Sequence, residues 1–393
     1  MVTATPATID TETPYAIRLR DGLPFALKVF GAVWVGWAIL GLLVPIIPGE
    51  NPVSVPGLGS EPLSDGWHNL LDSGQRWDAL WYQRIAMEGY RPDDGSAAFF
   101  PLYPLATHLL SAFTHTTVQT ASVIVAQGSF LASLIALYAL TAREFGPLTA
   151  QRATKYLAIF PTAFFLIAPY AESLFLLFVL LAFWFARTSR WALAAVFATG
   201  AALTRSVGVM VGVALMVEAV IQWRTRKGKD LVPGLAAAFA PLAGLGLYCL
   251  YWLVQHGDFY APLSAQRGWG REPMLPLMTL YHAVQTAFQH RSFWLIDLTI
   301  VAIAAAFIIA GARLIPVCYS VFAAASLLLP LANVWPPRPL MSVPRFVVVI
   351  FPIFWAIALH TQRRWLPNSL VVGAFTGGYV LLGMLFARHY GIF

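Results

Sequence analysis

The chain has 393 residues, of which 59% are hydrophobic and only 11% charged. Ordinary soluble domains carry about a quarter charged residues, so a soluble globular protein is excluded. The net charge of +7 would suit a nucleic-acid partner, but in so apolar a chain it reports the orientation of loops between membrane spans, and no nucleic acid is expected.

The polar stretch Met1 to Pro24 has no small-residue cleavage site close behind the apolar run that follows it, so that run reads as a retained helix and not a removed signal peptide. Apolar runs then fall at about 25–47, 120–142, 153–169, 171–187, 191–205, 206–223, 231–254, 293–312, 314–334, 345–362 and 368–387. Spanning the hydrocarbon takes about 20 helical residues, and backbone groups in lipid must be satisfied within the segment. The expectation is an all-α polytopic membrane protein, a single domain over 1–393, with about eleven transmembrane helices. Several runs are shorter than a span, so the pairs around Pro169 and Arg205 are expected to be tilted or partly re-entrant.

Basic clusters orient the chain. Placing Arg143, Arg152 and Lys155, then Arg187 and Arg190, then Arg224 to Lys229, then Arg313, Arg363 and Arg364 in the cytoplasm satisfies an eleven-span drawing with a cytoplasmic amino terminus. All four lysines then lie inside, as the positive-inside tendency requires. The outer side carries loops at 48–119, 255–292 and Val334–Pro344, and its cations are all arginine. Translocated loops avoid lysine in general. Arginine is also suited to forked phosphate binding.

The first outer loop contains a helix pattern, with Trp77, Leu80, Trp81 and Ile85 at helical spacing and Gly89 as the stop. Its aromatic residues suit a helix in the lipid headgroup layer. A second such helix follows from Phe99 to about Phe113. Asp78 shares a face with Trp81, Tyr82 and Ile85. It reads either as an exposed acid on the wet side of that helix or as a carboxylate walled by aromatics, able to act as a base, with Trp77 and Tyr82 as substrate contacts. Glu172 opens an apolar run and reads as a helix amino-terminal acid or as a functional intramembrane charge. Arg205 lies midway through about 32 apolar residues; it either snorkels or pairs with a phosphate or with Glu172. Arg345 opens a span beside Pro344, as a boundary arginine or as a second anion-binding group. Gln266, Arg267, Trp269 and Arg271 form a sugar or phosphate platform, or a loop settled at the interface. Glu218 and Asp297, near span ends, read as snorkelling acids.

Asp93 and Asp94 precede a glycine and read as a turn, with a divalent cation as the other reading. His108 and His115 lack a third ligand, and Cys249 and Cys318 lie in apolar runs, so neither a metal nor a cofactor is expected.

Several blocks together resemble the PIG-V-like mannosyltransferases of the GT-C class. These are Trp77-Asp78-Ala-Leu-Trp-Tyr-Gln-Arg-Ile-Ala86 with Gly89-Tyr90, Ala98-Phe-Phe-Pro-Leu-Tyr-Pro104, Ala168-Pro-Tyr-Ala-Glu-Ser-Leu-Phe175, Ala202-Leu-Thr-Arg-Ser206 and Pro344-Arg-Phe-Val-Val-Val-Ile-Phe-Pro352. The resemblance implies a GT-C-like bundle whose site lies at the outer membrane face. It implies a polyprenyl-phosphate-linked sugar donor, mannose first, and a lipid or glycan acceptor. It carries over Asp78 as the catalytic carboxylate and Glu172, Arg205 and Arg345 as motif positions. The alanine-rich composition and the absence of an N-glycosylation acceptor point to a bacterial member in a cell membrane. A transporter or flippase of a lipid-linked sugar accounts for the same spans and buried charges, as does a non-catalytic scaffold subunit. Transporters often carry paired repeats, and no repeat is seen here.

Overall fold

The computed structural model of the chain describes residues 15–46, 54–55, 59–60, 72–225, 231–290 and 293–391. The acidic residues Glu50, Glu61 and Asp65, the cluster Arg226 to Lys229, Arg291 and the side chains of Arg18 and Arg20 lie outside the described residues. The architecture is all-α: apart from helices, the described residues hold two antiparallel two-residue ladders, Ser54–Val55 with Gly59–Ser60 and Glu272–Pro273 with Asn333–Val334.

Among the described residues six helices are long and apolar enough to cross a membrane: Gly22–Leu43, Val118–Phe145, Ser206–Thr225, Leu231–His256, Phe293–Gly311 and Asn368–Ala387. Local chemistry sets their ends. Thr117 caps the helix Val118–Phe145 by accepting from the Thr120 amide at 3.2 Å. Gly146, at φ 87°, ends it, and Pro147 starts the next helix, Pro147–Ala158.

Of the remaining apolar runs, 171–187, 191–205 and 314–334 form the shorter continuous helices Glu172–Arg187, Trp191–Thr204 and Val317–Leu331, and two are interrupted. Run 153–169 becomes the end of Pro147–Ala158 followed by a 3-10 turn at Ala163–Leu166. Run 345–362 becomes a short helix, Val343–Val347, and then Pro352–Gln362. The chain also breaks between Trp191–Thr204 and Val209–Thr225, where Arg205 takes an extended conformation. That hairpin closes tightly, because a Cβ on Gly208 would lie 2.4 Å from the Ala201 carbonyl. Small residues let backbones approach this closely in membrane bundles. Thr162 donates to the Pro344 carbonyl at 3.0 Å and so joins two of the three breaks. Irregular backbone within an apolar bundle is tolerated where protein buries it or where it lines a cavity.

Two sequence expectations are corrected here. The helix Asp78–Glu88 does not offer an apolar side to lipid: Ala79 through Ala86 are all buried in protein, Gln83 and Arg84 included. An amphipathic pattern identifies an apolar partner without saying whether that partner is lipid or protein. Glu218 and Asp297 do not snorkel. Both are buried, Asp297 against Arg338 at 2.7 Å and Glu218 against Arg187 at 2.8 Å. Arg187 also grips Glu144 with two bonds of 2.9 Å, forming a buried network about 22 Å along the helix Glu172–Arg187 from Glu172.

The 255–292 segment, drawn as a loop, contains two helices, Ala261–Gly268 and Pro276–His290. The ladder of Glu272–Pro273 with Asn333–Val334 ties it to the third loop.

Candidate active site

Asp78 is the first residue of its helix, and Trp77 just before it stands at φ 43°, ψ −106°. A bulky residue at positive φ is strained, and such strain persists only where the surroundings impose it. Here the Trp77 ring is wedged edge-on against Phe386 with centroids 5.3 Å apart. Ser342, at φ 68°, precedes the short helix that carries Arg345. The helices that carry Asp78 and Arg345 therefore both begin at a residue of positive φ.

The side chains meet across the chain. Arg345 donates through Nη1 to Asp78 Oδ2 at 2.6 Å, and its Nε approaches Glu172 Oε1 within 3.0 Å. Arg205 donates to the same Glu172 oxygen. Glu172 is wholly buried, Arg205 and Arg345 are 11% and 13% exposed, and Asp78 is 28% exposed. One buried carboxylate thus holds two guanidinium groups, while the more open Asp78 takes a second hand of Arg345. Glu172 begins its helix, so the positive end of the macrodipole adds to its stabilisation. Phe346 lies under both cations, 4.5 Å from the Arg205 guanidinium and 5.2 Å from that of Arg345. Of the two readings of Arg205, the structure has the pairing with Glu172.

Asp78, Arg205 and Arg345 border a cavity of about 710 Å³ whose wall also includes Trp77 and Tyr82 together with Gln266, Trp269 and Arg271. Aromatic packing builds one side. Trp81 stacks on Phe99 with centroids 5.4 Å apart, and Trp269 stands edge-on to Trp81 at the same distance. The Trp269 indole donates to the Gly95 carbonyl at 3.1 Å. Burial pushes the Tyr82 phenol up from its ordinary value, so it stays protonated as a donor. Its hydroxyl has no hydrogen-bond partner among the described residues.

Two expected site residues do not line the cavity: Glu172, wholly buried against Arg205 and Arg345, and Arg267. Arg267 is exposed on Ala261–Gly268, because a helix directs adjacent residues about 100° apart and Gln266 takes the inward position. Asp94 bonds Arg84 and the Ser96 amide, the latter at 2.8 Å, which is the turn reading. His108 bonds the Ala86 carbonyl at 2.8 Å. Among the described residues no three of His, Cys, Asp and Glu come together as a metal site would require.

Sequence reasoning missed Tyr170, Ser206, Trp335 and Ser342, which also line the cavity. Tyr170 and Ser206 stood within quoted motifs. Trp335, a lone aromatic in the third outer loop, was the available signal for the rest.

No curated protein sequence matches the chain. Among solved structures it is similar to the oligosaccharyltransferase of Archaeoglobus fulgidus in three crystal or complex forms. The form tethered to an acceptor peptide through a disulfide shares 11% identity, covering 93% of this chain and 55% of that one, with a TM-score of 0.44. The form with zinc and sulfate shares 12% identity over 92% and 53% of the two chains, with a TM-score of 0.42. The form with an inhibitory peptide and a dolichol-phosphate shares 12% over 93% and 56%, with a TM-score of 0.40. This chain therefore spans about half the length of those structures. The family profile described as mannosyltransferase (PIG-V) matches residues 51–294. That match covers more than half of the chain and includes Asp78, Glu172, Arg205 and Arg271, and by it the chain belongs to the PIG-V mannosyltransferase family.

Proposed function

We propose that the chain is a GT-C-type glycosyltransferase that moves a sugar, mannose first, from a polyprenyl-phosphate donor to an acceptor hydroxyl with inversion at the anomeric carbon. The observation that carries this reading is the convergence of Asp78, Arg205 and Arg345 on one cavity, with Asp78 Oδ2 2.6 Å from Arg345. Asp78 takes the proton of the acceptor hydroxyl as that oxygen forms the new bond to the anomeric carbon. The bond from that carbon to the phosphate oxygen breaks, and its electron pair leaves with the lipid phosphate. Arg205 and Arg345 stabilise the charge that grows there, an effect often worth about 3–4 kcal/mol per preorganised donor. Glu172 orients both arginines. Tyr82, Trp77, Gln266, Trp269 and Arg271 contact sugar, acceptor or phosphate, and a metal has no part in this scheme.

The same reading places the chain in a cell membrane with eleven crossings, the short helices at each break counted as parts of crossings. The amino terminus and the lysines are cytoplasmic, and the cavity opens on the extracytoplasmic side. The helix Leu102–Thr114 lies in the headgroup layer, since Leu105, Leu109 and Phe113 form an exposed apolar stripe at helical spacing.

The test is incubation of the purified full chain with labelled polyprenyl-phosphate-mannose and candidate lipid and glycan acceptors. Label is expected in a new lipid or glycan product. Asp78→Asn should lower turnover by about 10²–10⁴ while donor binding persists. Full activity in that variant would take Asp78 out of the base role. Vectorial movement of donor across a vesicle without any new product would favour a flippase instead.

A further inference from the structure

The three arginines on the cavity wall are not equivalent. Arg205 is paired with Glu172, and Arg345 with both Glu172 and Asp78. Arg271 has no carboxylate partner among the described residues. Its Nη1 donates to the Asn333 carbonyl at 3.2 Å, which uses one of five guanidinium N–H donors. Two carboxylates thus face three guanidinium groups, and one cation remains in excess.

Arg271 is half-buried. Burial and then the neighbouring charge of Arg345 push its guanidinium down from the ordinary arginine value; the Asp78 carboxylate opposes them only in part, and Arg205 acts in the same direction as Arg345. A cation held beside two others in a partly dry wall is costly unless an anion joins it. Its position is also built. The ladder pairs Glu272 with Val334 and Pro273 with Asn333, and the Met274 amide donates to the Ala332 carbonyl at 3.0 Å. The loop is thereby held in register, so the guanidinium stays at the cavity with its remaining donors unspent.

We propose that Arg271 is the ground-state phosphate receptor of this site: it captures the phosphate of the incoming lipid, while Arg205 and Arg345, already held by carboxylates, act on the charge that develops during transfer. This rests on the donor class proposed above. It divides affinity from rate, since loss of Arg271 should raise KM for the donor far more than it lowers kcat.

The experiment uses the full chain in nanodiscs with three probes: polyprenyl phosphate, the uncharged polyprenol and inorganic phosphate. Wild type is expected to bind polyprenyl phosphate at least tenfold tighter than polyprenol. Arg271→Gln, with a wild-type thermal transition, should lose most of that preference and leave polyprenol binding unchanged. A wild-type preference in Arg271→Gln would overturn the assignment while leaving the proposed donor intact. No preference in wild type would remove the phosphate-linked donor itself, and this receptor with it. A second measurement needs no variant. Modification of Arg271 by phenylglyoxal, read by peptide mass spectrometry, should be blocked by polyprenyl phosphate and not by polyprenol. Inorganic phosphate should protect only at much higher concentration. Equal protection by the free ion would assign the site to free phosphate, and absence of protection by the lipid phosphate would sink the proposal.

Discussion

Glu172→Gln separates a working charge network from a fortuitous one. The substitution keeps the side-chain shape and removes the carboxylate charge that Arg205 and Arg345 share. Removing one partner of a buried ion pair costs about 3–5 kcal/mol. Arg345 keeps Asp78 at 2.6 Å, and both arginines are slightly open at 11% and 13%, so the penalty falls mainly on Arg205 and is expected at about 2–3 kcal/mol. The double variant Glu172→Gln with Arg205→Gln removes the orphaned cation as well. It should recover part of the loss, with a coupling of about 1–3 kcal/mol. Denaturant-induced unfolding in mixed micelles measures all four corners of the cycle. A single-variant cost below roughly 1 kcal/mol with coupling below about 0.5 kcal/mol would refute the network.

Tyr82→Phe removes a hydroxyl with no protein partner among the described residues, so stability should not change. If that hydroxyl bonds substrate, kcat/KM should fall by about 2–13-fold, the range of one neutral hydrogen bond. Unchanged kinetics would make Tyr82 wall only. Gly95→Ala places a Cβ at φ 84° and 3.0 Å from the Trp269 indole nitrogen. It should cost roughly 1–2 kcal/mol and raise the donor KM by displacing Trp269; wild-type melting and KM together would show that Trp269 is not held by this contact. His389 is pushed down to about 4 by burial and by Arg76 and Arg388. The unfolded chain therefore binds more protons than the native one between about pH 4 and the ordinary histidine value near 6.5. The stability that depends on neutral His389 is present above that ordinary value and is lost as pH falls toward about 4. His389→Asn should flatten the unfolding profile across that window, and a profile as steep as wild type would exclude His389 as its source.

Much of this protein was legible in its residues. A chain with 11% charged side chains lacks the polar surface a soluble fold needs, and runs near 20 residues have one solution in lipid. The three- and four-residue spacing that places Asp78, Trp81 and Tyr82 on one face is a property of the helix itself, and all three line the cavity. The stop at Gly89 was equally local: it sits at φ 77° and returns its amide to the Ile85 carbonyl.

Only the tertiary structure decided which charge each charge meets. Arg345 and Asp78 are 267 positions apart, and periodicity holds no information on pairing across such a distance. It also decided that the apolar side of Asp78–Glu88 faces protein, since lipid and protein interiors select the same residues. Finally, it decided that Arg271 and not Arg267 faces the cavity. That choice depends on a helix phase and a two-residue ladder to a strand some sixty positions on, and the local sequence is an arginine in either place.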